Sequence, residues 1–314
     1  MPEGPEIKLN HDLLVRHLDG QIWSKLDIVS GKYLTKPPQN LANFQANLPS
    51  KVDSVNVHGK FIRISLYNAW IVGIGFGMTG RLAIESEFAP VGSAQTPVGS
   101  AQTPVGSEFA QTPVGSEQAD ELLANVRVSI VKSDGSKIHY IDPRNFGNWF
   151  LWDNISGLEK KLDELGVDLM SSELNQAEVV KLFRTPSVAK QEITQALMSQ
   201  KVIAGVGNYL KAESLYRAKI YPYAIVSNLS DEELYDIWIE LKRESQKSYQ
   251  MQSAWMIEGL DKPYAHIVFD IHLLPETEGV FEAENERRRA AAQRLPGDAR
   301  RPPAREGRSC RSRA

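Results

Sequence analysis

Cysteine is nearly absent from this chain of 314 residues, whose one thiol is that of Cys310. A single thiol forms no intramolecular disulfide and supplies no zinc site built on several cysteines. The shortage excludes a zinc ribbon and a disulfide-stapled scaffold. Since the chain is long enough for two domains with buried cores, its stability must come from packing.

Long apolar runs are also absent. No stretch approaches the about 18 to 20 apolar residues that span a bilayer. The acidic N-terminus lacks the basic start and apolar middle of a signal peptide. We therefore expect an intracellular protein that is neither secreted nor bound to a membrane.

Neither sign of charge dominates the whole chain, whose formal net charge is −3. This balance argues mildly against a general nucleic-acid binder, which usually presents a basic face. It conceals a nearly neutral segment, residues 1–224, and an acidic one, residues 225–286, with 4 Lys and Arg against 14 Asp and Glu. Residues 287–314 carry 10 basic residues, all arginine, against 2 acidic ones.

We interpret residues 261–314 as unassigned, with a disordered basic tail that an altered reading frame would also explain. The alternative is a basic arm for nucleic acid.

The first half of the chain has the pattern of one helix followed by strands. Apolar residues at helical spacing over residues 3–19 predict the helix. Eight short segments rich in β-branched and aromatic residues follow: WSKLDIVS, KVDSVNVHG, KFIRISLY, AWIVGIGFG, GRLAIE, NVRVSIVK, KIHYID and NWFLW. We predict an N-terminal domain over residues 1–152, in which the strands form a β-sandwich or flattened barrel.

Residues 88–118 repeat themselves as APVGSAQ, TPVGSAQ, TPVGSEFA and TPVGSEQ. Pro and Gly in every unit forbid a coiled coil, and the repeat has little apolar surface to bury. We interpret it as a flexible low-complexity loop between two strands and assign it no function.

From about residue 157 the apolar spacing becomes helical. Five stretches share it: LEKKLDELG, ELNQAEVVKLFR, AKQEITQALMSQ, GNYLKAESLYRAKI and DEELYDIWIELKRESQKSYQMQSAW. The sequence therefore predicts an α+β multidomain protein. Residues 153–158 link the first domain to an all-helical domain over residues 159–260.

Three stretches carry residues suited to chemistry. The chain opens MPEGPEI, and a small second residue such as Pro2 usually allows removal of the initiator methionine. A free proline amine is less basic than a lysine ammonium, so it can act as a nucleophile near neutral pH, with Glu3 at hand to move protons. Taken alone, most prolines at this position are incidental.

The second stretch and the two segments that make up the third are glycine turns. GVGN at residues 205–208 lies between two helices, where backbone N–H groups suit a phosphate, although an interhelical turn needs no ligand. GFGMTGRL at residues 75–82 and DPRNFG at residues 142–147 present large side chains that suit either a wedge into a base stack or packing at strand ends.

Taken together, these stretches resemble the formamidopyrimidine-DNA glycosylase and endonuclease VIII family of base-excision repair enzymes, over roughly residues 1–260. MPEGPEI is more similar to the endonuclease VIII branch, because Gly4 stands where the other branch usually has leucine. HGKFI at residues 58–62 resembles the family's lysine-bearing strand. LGVDLM at residues 165–170, together with the segment around GVGNYL, resembles its helix–two-turn–helix domain.

The resemblance implies a catalytic group at the N-terminus. Pro2 would attack C1′ of the damaged nucleotide and form a Schiff base with the sugar. Glu3 would act as general acid and base at the deoxyribose, and Glu6 would orient the amino terminus. Lys60 would hold a phosphate beside the lesion and assist β-elimination, and Asn208 would bind another phosphate.

The resemblance also implies that Met78, Arg144 and Phe146 fill the space that a flipped base leaves in the DNA stack. Methionine fills irregular apolar space, phenylalanine wedges between bases, and the arginine fork pairs with the widowed base. Asn145 stands where the family commonly has an arginine.

The C-terminus departs from the family pattern. Family members end in a β-hairpin finger, with or without zinc, whose arginine grips phosphate and supports δ-elimination. The four zinc-binding cysteines are missing here, which leaves only a zincless finger, and no segment after Gly259 matches that finger and its arginine.

The leading hypothesis is a bifunctional DNA glycosylase and AP lyase that excises oxidised bases, with pyrimidines the expected class, and nicks the strand by β-elimination. Such an enzyme needs no cofactor and no metal. We expect a monomer that acts on damaged double-stranded DNA, in the nucleus of a eukaryote or the cytoplasm of a prokaryote. The alternatives are a non-catalytic DNA-damage-binding protein of the same fold and a truncated or out-of-frame product that folds only in part.

Overall fold

A computed structural model describes the backbone of residues 1–85 and 116–258. Most of the repeat predicted as a loop lies outside these ranges, and so does the predicted basic tail. Within the described residues, no helix is both long enough and apolar enough to cross a membrane.

In its described residues, the N-terminal part has a long helix, three shorter helices and an eight-stranded antiparallel sheet. The helices are α1 (Gly4–Leu18), α2 (Lys32–Thr35), α3 (Leu41–Ala46) and α4 (Ser116–Ala124). The strands are β1 (Ile22–Ile28), β2 (Ser50–His58), β3 (Phe61–Leu66), β4 (Ile71–Gly75), β5 (Arg81–Ile84), β6 (Val126–Lys132), β7 (Lys137–Ile141) and β8 (Asn148–Trp152). Their order in the sheet is β5-β7-β6-β1-β2-β3-β4-β8. The predicted N-terminal helix and eight strands are therefore confirmed.

The core of this part lies between α1 and the inner face of the sheet. Its members are large apolar side chains with almost no exposed surface, among them Ile7, Leu14, Trp23, Ile62, Ile64, Val72 and Tyr140. Along β3, β4 and β6 they stand at alternate positions, because successive side chains of a strand point to opposite faces. This burial supplies the stability that disulfides cannot.

Three short helices differ from the sequence prediction. Helices α2 and α3 span only four and six residues, too few to show a helical period. Helix α4 begins at Ser116, inside the segment predicted as a loop, and its Leu122 packs against Ala83, Val126 and Ile141. Residues 116–118 of the repeat are therefore helical rather than part of a loop, because the turns before β6 have apolar surface to bury.

The C-terminal part is helical, as the sequence predicts. Its helices are α5 (Ser156–Leu162), α6 (Gln176–Phe183), α7 (Ile193–Met198), α8 (Asn208–Arg217) and α9 (Asp231–Glu258). Two strands of two residues, β9 (Val167–Asp168) and β10 (Ile203–Ala204), pair in parallel between them. Capping boxes start two of the helices, Asn175 with Glu178 on α6 and Ser230 with Glu233 on α9.

The two parts meet at the start of α1. The N–H of Gly4 donates a hydrogen bond to the carbonyl oxygen of Gly205 at 2.8 Å, which joins α1 to the turn before α8. Two turns further along α1, the hydroxyl of Tyr249 on α9 donates to Asp12 at 2.7 Å. The first residues of the chain are therefore held by the helical part as well as by the sheet.

Candidate active site

The MPEGPEI segment forms the first turn of α1. Glu3 precedes the helix in an extended conformation, and its N–H donates a 2.8 Å hydrogen bond to Oε2 of Glu6. Pro5 occupies the first turn, where a missing N–H costs nothing. The two acids are thus placed by ordinary helix-capping chemistry, and the half-buried Pro2 lies directly before them.

The Glu3 carboxylate caps a second helix. Its Oε1 accepts from the N–H of Tyr209 at 3.0 Å and its Oε2 from the N–H of Leu210 at 3.2 Å. Both N–H groups belong to the first turn of α8, whose own N-cap residue, Gly207, has no side chain to offer. A carboxylate is favoured there because the helix N-terminus carries a partial positive charge. Glu3 is only 1% exposed.

Two glycines allow this approach. A Cβ on Gly207 would lie well inside van der Waals contact with the carboxyl carbon of Glu3. Gly59 has φ +57°, and a Cβ there would lie 2.5 Å from the Cβ of Ala204, just before the glycine turn. The next residue, Lys60, is therefore held beside the GVGN turn and the two acids.

Burial shifts the pKa values of Glu3 and Lys60 toward each other. It raises the pKa of the Glu3 carboxyl to about 6, and the Glu6 charge adds to this; the Lys60 charge and the N–H groups of Tyr209 and Leu210 oppose it. Burial lowers the pKa of Lys60, against the attraction of both acids. A carboxyl that titrates near pH 6 can give and take protons under physiological conditions.

Glu6 is held by side chains that the sequence analysis missed. The Tyr209 hydroxyl donates to Glu6 Oε1 at 3.0 Å, and Gln252 on α9 donates to the same oxygen at 2.5 Å. Ser248, one turn before Gln252, contacts both the Tyr209 hydroxyl at 3.1 Å and the Gln252 amide at 2.9 Å. These partners lie more than 200 residues from Glu6, so no local sequence pattern points to them.

Met78, Arg144 and Phe146 come together on the surface. Phe146 is 50% exposed and Met78 41% exposed. The Arg144 guanidinium lies between them, 5.5 Å from the centre of the Phe146 ring and 3.9 Å from the Met78 sulfur. Two large apolar side chains and a planar cation thus form one exposed cluster.

A buried carboxylate, also missed from the sequence, ties the two loops of this cluster together. Asp142 has no exposed surface; it accepts from the Thr79 hydroxyl at 2.6 Å and from the N–H of Gly147 at 2.7 Å. Thr79 follows Met78, and Gly147 follows Phe146. Asn145 has φ +56°, a conformation that asparagine tolerates better than most residues.

The two residues expected to bind phosphate lie at either end of the GVGN turn. Asn208 is exposed at the first position of α8, and its side-chain oxygen accepts from Lys211 at 3.1 Å. Lys60 lies beside the start of the turn, where it borders a cavity of about 170 Å³ together with Asn148, Phe150 and other residues. The exposed cluster of Met78, Arg144 and Phe146 is built on different loops, after β4 and after β7.

Family models match both parts of the chain. The model of the formamidopyrimidine-DNA glycosylase N-terminal domain matches residues 1–149, and that of the formamidopyrimidine-DNA glycosylase H2TH domain matches residues 165–256. The formamidopyrimidine-DNA glycosylase of Geobacter metallireducens is 26% identical over 273 residues, covering 87% of this chain and 88% of the relative. That of an Enterobacter species is 30% identical over 233 residues, covering 74% of this chain and 72% of the relative.

Solved structures share the fold. The Lactococcus lactis formamidopyrimidine-DNA glycosylase, bound to DNA containing an AP site, superposes with a TM-score of 0.59 at 16% identity, covering 81% of this chain and 84% of that one. The Thermus thermophilus protein gives 0.56 at 20% identity, with 79% and 76% covered. Since both domain models match and the Enterobacter relative is 30% identical with 72% of its length covered, the chain belongs to the formamidopyrimidine-DNA glycosylase family.

Proposed function

We propose that this protein is a bifunctional DNA glycosylase and AP lyase of base-excision repair, with Pro2 as its nucleophile. The observation that carries the proposal is the placement of Glu3. A carboxyl that is 1% exposed, with its pKa raised to about 6, lies directly after the proline and is fixed on the first turn of α8. Burying a carboxylate costs free energy, and strongly perturbed groups of this kind concentrate at functional sites.

The first step requires removal of Met1, because the Pro2 nitrogen is otherwise an amide. The free amine attacks C1′ of the damaged nucleotide, and the bond from C1′ to the base breaks with its electron pair leaving on the base. The proton that the attacking nitrogen loses neutralises the expelled base. Opening of the sugar ring then breaks the C1′–O4′ bond and yields the iminium. Glu3 in its protonated form supplies the proton that O4′ takes up.

The second step nicks the strand. A base removes a proton from C2′, and the electron pair of that bond forms a C1′–C2′ double bond while the iminium nitrogen regains its lone pair. The nitrogen pair then re-forms the iminium, the C1′–C2′ π pair moves to C2′–C3′, and the C3′–O bond breaks with its electron pair leaving on the phosphate. Ionised Glu3 and the amine of Lys60, whose pKa is lowered, are the groups that we assign to this proton transfer. Hydrolysis of the iminium then returns the Pro2 amine.

Extrusion of the damaged base precedes both steps. A base in the stack is inaccessible, and the empty space that it leaves costs a few kcal/mol of stacking unless protein groups fill it. We assign that role to Met78, Arg144 and Phe146, whose exposed cluster combines wedge-like and hydrogen-bonding groups. Lys60 and Asn208 bind two backbone phosphates near the lesion.

The proposed substrate is damaged double-stranded DNA, bound by a monomer. The proposed lesions are oxidised pyrimidines, because MPEGPEI is more similar to the endonuclease VIII branch. The names of the relatives point instead to formamidopyrimidines, which are ring-opened purines. A panel of duplexes separates the two: faster excision of 5-hydroxyuracil or thymine glycol than of formamidopyrimidine supports the pyrimidine assignment, and the reverse order overturns it.

Borohydride trapping tests the function itself. Mixing the full chain, with Met1 removed, and duplex DNA containing an abasic site in the presence of borohydride should reduce the iminium to a stable covalent adduct. Binding of the same DNA without any adduct would overturn the enzyme assignment and support the DNA-damage-binding alternative.

A further inference from the structure

We infer that Tyr209 is a positioning residue that sets the geometry of both acids beside the proposed nucleophile. Its role rests on the proposed function and extends it to a side chain that acts through the two acids. Tyr209 holds the Glu3 carboxylate through its backbone and the Glu6 carboxylate through its side chain, so one residue of α8 fixes both acids.

The hydrogen bonds from Tyr209 have good geometry. Its N–H donates to Glu3 at 3.0 Å. Its hydroxyl lies 3.0 Å from Oε1 and 3.3 Å from Oε2 of Glu6, close enough to donate to the carboxylate. Burial raises the pKa of the Tyr209 hydroxyl, and the Glu6 charge raises it further, so the group stays protonated and remains a donor.

Helix α9 fixes the other side of this contact. Ser248 and Gln252 are buried, 4% and 5% exposed, and contact the Tyr209 hydroxyl and Glu6 respectively. Since Gln252 also donates to Ser248, the three side chains and Glu6 form one closed network. Such a network holds its members in a single arrangement as long as every polar group is satisfied.

The network reaches the nucleophile through the backbone. Glu6 Oε2 accepts from the N–H of Glu3, the peptide group that begins directly after Pro2. If Glu6 turns away, this peptide loses its partner and the Pro2 ring is free to reorient relative to Glu3. A misplacement of about 1 Å at a reacting atom can cost on the order of 100-fold in rate.

A second hydrogen bond from a tyrosine hydroxyl to a carboxylate, which involves neither Glu3 nor Glu6, offers a matched control. Tyr249 on α9 donates to Asp12 on α1 at 2.7 Å, the same chemistry between the same two parts of the molecule. Each variant loses a charge-assisted hydrogen bond to a carboxylate of α1, and Tyr209→Phe also loses the contact with Ser248, so its loss of stability should be the larger. Of the two variants, only Tyr209→Phe removes a hydroxyl that holds Glu6.

The experiment compares the wild type with Tyr209→Phe and Tyr249→Phe. Three quantities are measured for each: the single-turnover rate constant of base excision, the Kd for duplex DNA with an uncleavable tetrahydrofuran abasic site, and the urea midpoint. We expect Tyr209→Phe to lower the rate constant by about tenfold or more with an unchanged Kd. Tyr249→Phe should keep both quantities at wild-type values while its urea midpoint falls.

Equal rate constants for the two variants would overturn the positioning role, and so would a loss in Tyr209→Phe that lies wholly in Kd. The wild-type arm reports on the proposed function separately. If the wild type and Tyr249→Phe both bind the DNA and neither excises a base, the proposed function fails, and the role of Tyr209 fails with it.

Discussion

The carboxylate of Glu3 accepts a hydrogen bond from the backbone N–H of Tyr209, 206 residues further along the chain. This one contact joins the start of the sheet-containing part to the first turn of α8 in the helical part. It accompanies the burial of the carboxyl, which raises its pKa. Docking of Glu3 on α8 therefore both fixes the first residues of the chain and buries the carboxyl whose pKa is raised.

Gly207→Ala tests the closeness of this contact. Gly207 has φ −134°, which alanine adopts without strain, so any effect must come from the collision of its Cβ with Glu3. We expect a stability loss of about 1 to 3 kcal/mol from overpacking and a fall of about tenfold or more in the rate of borohydride-trapped adduct formation.

Gly20→Ala is the control for Gly207→Ala. Gly20 has φ +69°, and no atom lies within 4 Å of the point where an alanine methyl would stand, so alanine there strains only the backbone, by about 1 to 2 kcal/mol. It should lose similar stability and keep the wild-type trapping rate. Equal trapping rates in both variants would show that adduct formation does not depend on the contact between Glu3 and the first turn of α8.

The Glu3 carboxyl should titrate near pH 6 in the folded protein. Carbon-13 NMR of glutamate-labelled protein measures this, with Glu3→Gln to identify the signal. Because Lys60 lowers this pKa, Lys60→Met should move the midpoint upward. In the wild type, the Glu3 carboxyl binds a proton at a higher pH in the folded protein than in the unfolded chain. The contribution of Glu3 to the free energy of unfolding therefore rises as the pH falls from about 6 toward 4.5. A midpoint near 4.5 in the wild type would contradict the account.

Phe146→Ala and Met78→Ala should affect duplex DNA far more than single strands. Filling the vacated stack offsets an unstacking cost of a few kcal/mol, so we expect about tenfold or more slower excision from a duplex. An unpaired lesion is already unstacked, and its excision should change little. Tyr67→Ala removes an aromatic ring that is 66% exposed at the far end of β3 from Lys60, and it should alter neither rate. Equal losses on both substrates would contradict a void-filling role.

Asp142→Ala should destabilise the protein by about 2 to 4 kcal/mol, because it leaves the buried N–H of Gly147 without its partner. Urea denaturation measures the change. Asp153→Ala, at an exposed aspartate after β8, should stay within about 0.5 kcal/mol of the wild type. A loss for Asp142→Ala as small as that would mean that Asp142 does not tie the two loops together.

The regular parts of the fold follow from local patterns in the sequence. Alternation in β3 and β6 and the helical spacing of α9 predict these elements, because one face of each is buried. Helices α2 and α3 escape prediction because four and six residues cannot show a period. Helix α4 is hidden by the repeat beside it.

The residues of the candidate site also fall into a group that the sequence reveals and a group that it does not. Pro2, Glu3, Lys60 and Asn208 stand in short motifs whose spacing is visible in the sequence, so the resemblance reaches them. Polar partners such as Tyr209 hold those motifs in place through contacts between distant segments. Such partners leave no period or motif, since only the folded chain brings them together.

The most direct test of the central claim is the location of the trapped adduct. After borohydride reduction on abasic DNA and proteolysis, mass spectrometry identifies the peptide that carries the sugar. We expect it on the N-terminal peptide beginning at Pro2, with no adduct when Met1 is retained. An adduct on the Lys60 peptide, or an undiminished yield from a chain that keeps Met1, would contradict the assignment of Pro2 as the nucleophile.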